Sequence, residues 1–192
     1  MAICAANMHL SNEKRLAYFD RLNSPGVHAI TLSEMIPGER IRLGVAAEFE
    51  VSGYGVGNRT VDWAFHPEGR TVLLDVKHRS ADFIQQMGQI EGHTIAPPPD
   101  HDPALLFKSV EKKFASADPN VVLQGAWVAT HVQQSEASLN KAFASLDPDK
   151  VHFAVLGDWR ADVHLLVRRE VDRPYLLELF TATRSDRFTF AP

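Results

Sequence analysis

The clearest pattern in the chain is a run of apolar residues broken at alternate positions. Residues 71–79 read TVLLDVKHR. In an extended strand, residues two apart share a face. Val72, Leu74 and Val76 would therefore line one side, and Leu73, Asp75 and Lys77 the other. An isolated charge in such a run is costly, so an acid and a lysine side by side need a reason to be there. Upstream, RTVDWAF is a second strand pattern, and HPEGR between the two reads as a hairpin loop. Counted from that loop, Asp62 falls short of a position directly opposite Asp75, so a shift, a twist or a bulge would be needed to bring the two carboxylates together.

Helical patterns flank the hairpin. Residues 11–22 predict a helix capped by Ser11 or Asn12 and closed by Pro25 and Gly26. A second helix is predicted from Pro37 to about Ser52, stopped by Gly53. GYGVGN is turn-like, with room for a short edge strand. ADFIQQMGQIEGH reads as a helix and IAPPPDHDP as a proline-rich loop. In ALLFKSVEKKFASA, Leu105, Leu106, Val110 and Phe114 fall near one helical face. VVLQGAWVAT is a strand, and SEASLNKAFASL is a helix with Ser135 as its cap. VHFAVLG, VHLLVRRE and YLLELF are further strands, and TRSDRFTF is an edge strand. The order predicts an α/β fold with a mixed central sheet flanked by helices, since a hairpin joins the early strands.

Composition narrows the classes. The chain has 192 residues, 45% hydrophobic and 23% charged, which suits a soluble globular protein of one domain. A net charge of -4 gives no global attraction to nucleic acid, so any such contact needs a local basic patch. One cysteine, Cys4, excludes an internal disulfide framework and a cysteine zinc site. His28, His66, His93, His101, His131, His152 and His164 form no tight ligand spacing. The start of the chain lacks the basic segment of a signal peptide, and no run is long enough to span a bilayer, so a cytoplasmic location is expected. There is no P-loop, Rossmann fingerprint or nucleophile elbow.

The remaining chemistry is acidic. Two carboxylates that converge repel and resist ionisation. A hard divalent cation removes that penalty, and a neighbouring lysine can then orient water or stabilise phosphate charge. Val61-Asp62 followed by Asp75-Val76-Lys77 resembles the signature of the PD-(D/E)xK nuclease superfamily: an acid on one strand, acid-x-lysine on the next, and a helical glutamate upstream. Val61 stands where the superfamily usually has proline. The resemblance covers residues 38–130 and implies a restriction-endonuclease-like αβββαβ core, with residues 131–192 as a C-terminal α/β extension of a single domain.

The resemblance further implies a metal-dependent nuclease that hydrolyses phosphodiester bonds of DNA with Mg²⁺, or Mn²⁺ as a substitute. Asp62 and Asp75 would be metal ligands, the Val76 backbone carbonyl a third ligand, and Lys77 the catalytic lysine. Glu48 is the preferred helical acid, because the helical projection puts it within an apolar face; Glu39 is the alternative. Many relatives dimerise. His78, Arg79, Gln85, Gln86 and Gln89 are weaker candidates for the site. Lys108, Lys112 and Lys113, and separately Arg168, Arg169, Arg173, Arg184 and Arg187, are basic clusters that would suit a nucleic-acid groove or plain solvated faces. Two other readings stand beside the nuclease: a catalytically inactive module of the same fold that binds nucleic acid or a protein partner, and a domain whose acidic hairpin is structural.

Overall fold

A computed structural model describes residues 2–57, 59–78, 103–129, 136–156, 163–180 and 190–191. Four helices come first: α1 (Ala2–His9), α2 (Asn12–Leu22), α3 (His28–Glu34) and α4 (Ile36–Arg40). Then follow β1 (Ala46–Val51), β2 (Val61–His66), β3 (Thr71–His78), α5 (Pro103–Glu111), β4 (Val122–Ala129), α6 (Glu136–Ala144), β5 (Phe153–Leu156) and β6 (Val163–Val167). A short 3₁₀ turn (Glu170–Asp172), α7 (Arg173–Phe180) and the two-residue β7 (Phe190–Ala191) complete the described elements. The fold is α/β, with one mixed sheet ordered β1-β2-β3-β4-β5-β6-β7. Neighbours β1, β2 and β3 are antiparallel, and β3–β4 and β4–β5 are parallel. Pair β5–β6 is antiparallel, and β6–β7 is parallel.

Alternation on β2 and β3 sorts side chains between two cores. Trp63, Phe65, Val72, Leu74 and Val76 pack with Tyr18, Met35, Ile36 and residues of α7. Ala64 and Leu73 pack on the opposite side with Phe107, Val110 and Phe114, and with Leu139 and Phe143 of α6. The first core is aromatic-rich: Trp63 and Phe65 stack at 5.4 Å, and Trp63 meets Phe49 at 5.0 Å. Trp63 also fixes the approach of α4. A methyl group at Gly38 would lie 2.5 Å from its ring, so the helix can come this close only at a glycine.

Several predicted elements form as expected. Ser11 caps α2 by accepting the Lys14 N–H at 3.3 Å. The hairpin turns between His66 and Thr71 with Gly69 at φ +87°. Three expectations are corrected. The helix predicted over 37–52 is a five-residue helix, α4, followed by strand β1. Gly44 at φ +87° separates them, and Glu48–Val51 alternates polar and apolar as an edge strand does. The YLLELF strand is helix α7, in which Leu176, Leu179 and Phe180 bury a face spaced by three and four; Pro174 suits its first turn. On α5 the buried face is Phe107 and Val110, continued by Phe114, while Leu105 is exposed. The predicted helix over 81–93, the proline-rich loop and the Ser135 cap lie outside the described residues.

The C-terminal segment is tied to the hairpin by a buried ionic clamp. Arg70, in the β2–β3 turn, donates to Asp172 Oδ1 at 2.6 Å, and Arg169 donates to both Asp172 oxygens at 2.7 and 2.9 Å. Burial opposes ionisation of Asp172, but the two guanidiniums more than offset it and hold the carboxyl below its usual range. No helix among the described residues is long and apolar enough to cross a membrane.

Candidate active site

The β2–β3 register pairs Trp63 with Leu74, Ala64 with Leu73 and Phe65 with Val72. Continued by one residue, it sets Asp62 opposite Asp75. The shift expected between them is therefore not needed: Asp62 lies as far before His66 as Asp75 lies after Thr71. Both side chains share the face of Ala64 and Leu73, beneath α5. Asp75 is on the C-terminal half of β3, beside Ala126 of the parallel strand β4. The carboxyl ends of parallel strands are where open α/β sheets usually place ligands.

Asp75 is fully buried, at 0% exposure. Its Oδ1 accepts from the Lys113 ammonium. Its Oδ2 lies 2.5 Å from the Lys77 ammonium, a charge contact whose angle leaves the oxygen without a hydrogen bond. Asp62 Oδ2 accepts the Val76 N–H at 2.6 Å, and its Oδ1 is 3.6 Å from the same Lys113 nitrogen. Burial raises the Asp62 pKa to about 7, and the adjacent Asp75 charge adds to the rise; Lys113 and the Val76 N–H oppose it. Burial works against the Lys113 charge, but Asp62 and Asp75 more than compensate and raise its pKa above the ordinary lysine value. Two carboxylates and two ammonium groups thus meet at one point.

Asp62, Asp75 and Lys77 are brought together on one face of the β2–β3 hairpin. Val76 is also present, although the contact it makes is through its N–H, to Asp62, rather than through the carbonyl expected as a ligand. The two glutamates are corrections. Glu48 lies on edge strand β1, largely exposed, and pairs with His66 Nε2 at 3.0 Å near the hairpin turn. Its supposed apolar helical face does not exist, because the segment is extended. Glu39 is on α4, which packs on α1. Among the described residues, no three His, Cys, Asp or Glu side chains converge.

One residue that the sequence did not single out for the site, Lys113, joins it, and a second acid, Glu34, is close enough to feel its charge. In the sequence Lys113 stands out only as part of a basic cluster with Lys108 and Lys112. Glu34, at the end of α3, is held over β2 by the Trp63 Nε1–H, which donates to its carbonyl at 2.6 Å. Burial raises the Glu34 carboxyl pKa, Arg21 offsets part of the rise, and the charge of Lys113 acts in the same direction as Arg21. Arg21 also pairs with Glu50 at 2.9 Å. Glu50 lies opposite Asp62, between the pairs Phe49–Trp63 and Val51–Val61, and has φ +51°. For a non-glycine residue this backbone costs about 1–2 kcal/mol. The Lys14 ammonium helps hold it by donating to the Phe49 and Glu50 carbonyls.

The other candidates are structural or undescribed. Arg168 caps the end of α6 through the Phe143 and Leu146 carbonyls and stacks on the Phe143 ring at 4.4 Å. Arg169 belongs to the Asp172 clamp, and Arg173 pairs with Glu170. Lys108 pairs with Glu111 at 2.8 Å, while Lys112 is exposed. His78 ends β3, half-buried. Arg79, Gln85, Gln86, Gln89, His93, His101, His131, Arg184 and Arg187 lie outside the described residues. Comparison of the chain with protein-family models, with curated proteins and with solved structures gives no match.

Proposed function

We propose that this protein is a metal-dependent nuclease that hydrolyses phosphodiester bonds of DNA. The observation that carries the reading is the meeting of Asp62 and Asp75 on adjacent strands with the Lys77 ammonium against the second acid. The order of elements supports a restriction-endonuclease-like core: helices, three antiparallel strands, a helix, then a parallel strand beside the third.

The donor set fits Mg²⁺ or Mn²⁺. It offers hard carboxylate oxygens, and one of them, Asp75 Oδ2, is buried without a hydrogen bond. Asp62 and Asp75 would hold the ion, which when bound supplies positive charge for the phosphate and a more acidic water. The remaining work falls to the chain. The Val76 N–H fixes the Asp62 carboxylate by its Oδ2, leaving Oδ1 turned toward Asp75 and Lys113. Lys77 presents three donors on the same face, so its ammonium can orient a water and stabilise charge developing on a phosphate oxygen. Asp75, shielded from solvent, keeps that ammonium in place.

One observation favours a second reading, a non-catalytic module of the same fold. Lys113 already lies against both acids and, with Lys77, balances their charge, an arrangement that would hold the hairpin together with no metal at all. Cleavage separates the two. Purified protein with plasmid DNA and Mg²⁺ or Mn²⁺ is expected to produce nicked or linear product, lost on chelation and lost in Asp75→Asn. Retained DNA binding with no cleavage in any divalent ion would favour the module instead.

A further inference from the structure

The position of Lys113 carries a consequence for cation binding. Its ammonium touches Asp75 Oδ1 and lies 3.6 Å from Asp62 Oδ1. It therefore lies against one oxygen of each acid, where its charge would oppose a divalent cation held by the pair. Lys77 contacts the other oxygen of Asp75 and no such contact links it to Asp62. The two lysines thus have different places: Lys77 lies against Asp75, and Lys113 against both acids.

The Lys113 backbone is anchored. Its carbonyl accepts the Val56 N–H at 2.8 Å, and its own N–H donates to Val110 at 2.8 Å. The next residue, Phe114, is buried and bridges Gly55. Arg59 holds the Lys112 carbonyl at 2.8 Å. Gly55 and Arg59, which make these contacts, approach closely, since a side chain at Gly55 would meet the Arg59 carbonyl oxygen at 2.4 Å. The main chain at 112–114 is thus clamped, and the mobile part of Lys113 is its four-carbon stem. That side chain is 21% exposed, so the ammonium has a way to solvent without any movement of the backbone.

We propose that Lys113 is a built-in counter-cation of the acid pair, displaced from it when a divalent cation binds. This rests on reading Asp62 and Asp75 as the metal ligands. With both lysines in place, two carboxylates face two ammonium charges. Addition of a divalent ion without withdrawal of Lys113 would crowd four positive charges around two negative ones at contact distance. The cation must therefore compete with Lys113, and the measured affinity falls short of the affinity of the unblocked acids by the cost of that displacement. Once withdrawn, the same ammonium remains tethered at the rim of the site, where a phosphate anion would meet it. Lys113 thereby sets the cation concentration at which the site fills and makes filling easier when an anion is present to receive the ammonium.

The test is calorimetric titration of Mn²⁺ into the full chain, comparing wild type with Lys113→Met and with Asp75→Asn as the ligand control. Lys113→Met is expected to bind Mn²⁺ at least about tenfold more tightly than wild type, because the competitor is gone while the stem is kept. Without metal its unfolding midpoint should fall, and Mn²⁺ should restore it by a larger shift than in wild type. If Lys113→Met does not fold, Lys113→Gln retains an amide donor for the carboxylates and is read the same way. Equal or weaker Mn²⁺ binding in the folded variant, with binding intact in wild type and lost in Asp75→Asn, overturns the displacement and leaves the metal site standing. No Mn²⁺ binding in either wild type or the variant overturns both.

Discussion

Lys77→Met is expected to lower DNA hydrolysis by about 10²–10³-fold while leaving Mn²⁺ binding in place. The split follows from what Lys77 touches. Its ammonium lies 2.5 Å from Asp75 Oδ2 and, among the described residues, it donates to no backbone carbonyl. Asp75 still has Lys113 on its other oxygen after the substitution, so the buried carboxylate is not left without a positive partner. Loss of one donor aimed at developing phosphate charge removes transition-state stabilisation and spares the ground state. Lys77→Arg should rescue little, because a planar guanidinium cannot reproduce a compact ammonium in a site that is only 23% exposed. Single-turnover cleavage at saturating Mn²⁺, with Mn²⁺ calorimetry on the same preparations, checks both halves. An unchanged cleavage rate would remove Lys77 from the mechanism. A large loss of Mn²⁺ affinity would instead make it a structural support for Asp75.

Asp62→Asn should separate stability from activity. Asparagine retains an oxygen for the Val76 N–H and removes a charge that burial and Asp75 both disfavour. With the folded-state pKa raised to about 7, the protonated form of Asp62 is the one that favours folding. Its contribution is fully present below the unfolded carboxylate value, about 3.9, and is lost as pH rises through the folded value. The variant's advantage is therefore largest above pH 7 and disappears as pH falls toward 4. After discounting for the partial exposure of Asp62, a gain of roughly 1–3 kcal/mol at pH 8 is expected. Cleavage should be lost in the same variant, as happens where function is kept at the expense of stability. Denaturant unfolding at pH 4, 6 and 8 checks the sign. A variant less stable than wild type at pH 8 would mean that the Lys113 contact outweighs the repulsion.

The parts of the site that alternate along a strand were legible in the sequence. Period two places Leu73, Asp75 and Lys77 on one face and Val72, Leu74 and Val76 on the other, and the two cores divide in that way. The facing of Asp62 and Asp75 was misread as needing a shift, although each lies four residues from its end of the hairpin turn. Residues 41–51 misled for a physical reason. Ile41, Val45 and Phe49 are spaced by four, which satisfies a helical period and a strand period alike. The alternation of Glu48, Phe49, Glu50 and Val51 and the break at Gly44 decide for the strand. Glu48 became a candidate only through the helical reading. Lys113 had no local signal. It reaches the aspartates because a crossover helix packs on the parallel pair β3–β4, a contact between residues far apart in sequence.

The most direct test of the acid pair as a catalytic cation site is a crystal of the full chain soaked in MnCl₂, with anomalous differences measured at the manganese edge. A peak within coordination distance of both Asp62 and Asp75, with the Lys113 ammonium turned away from them, is the predicted result. A map with no peak at the pair, and Lys113 still seated on both carboxylates, would contradict it.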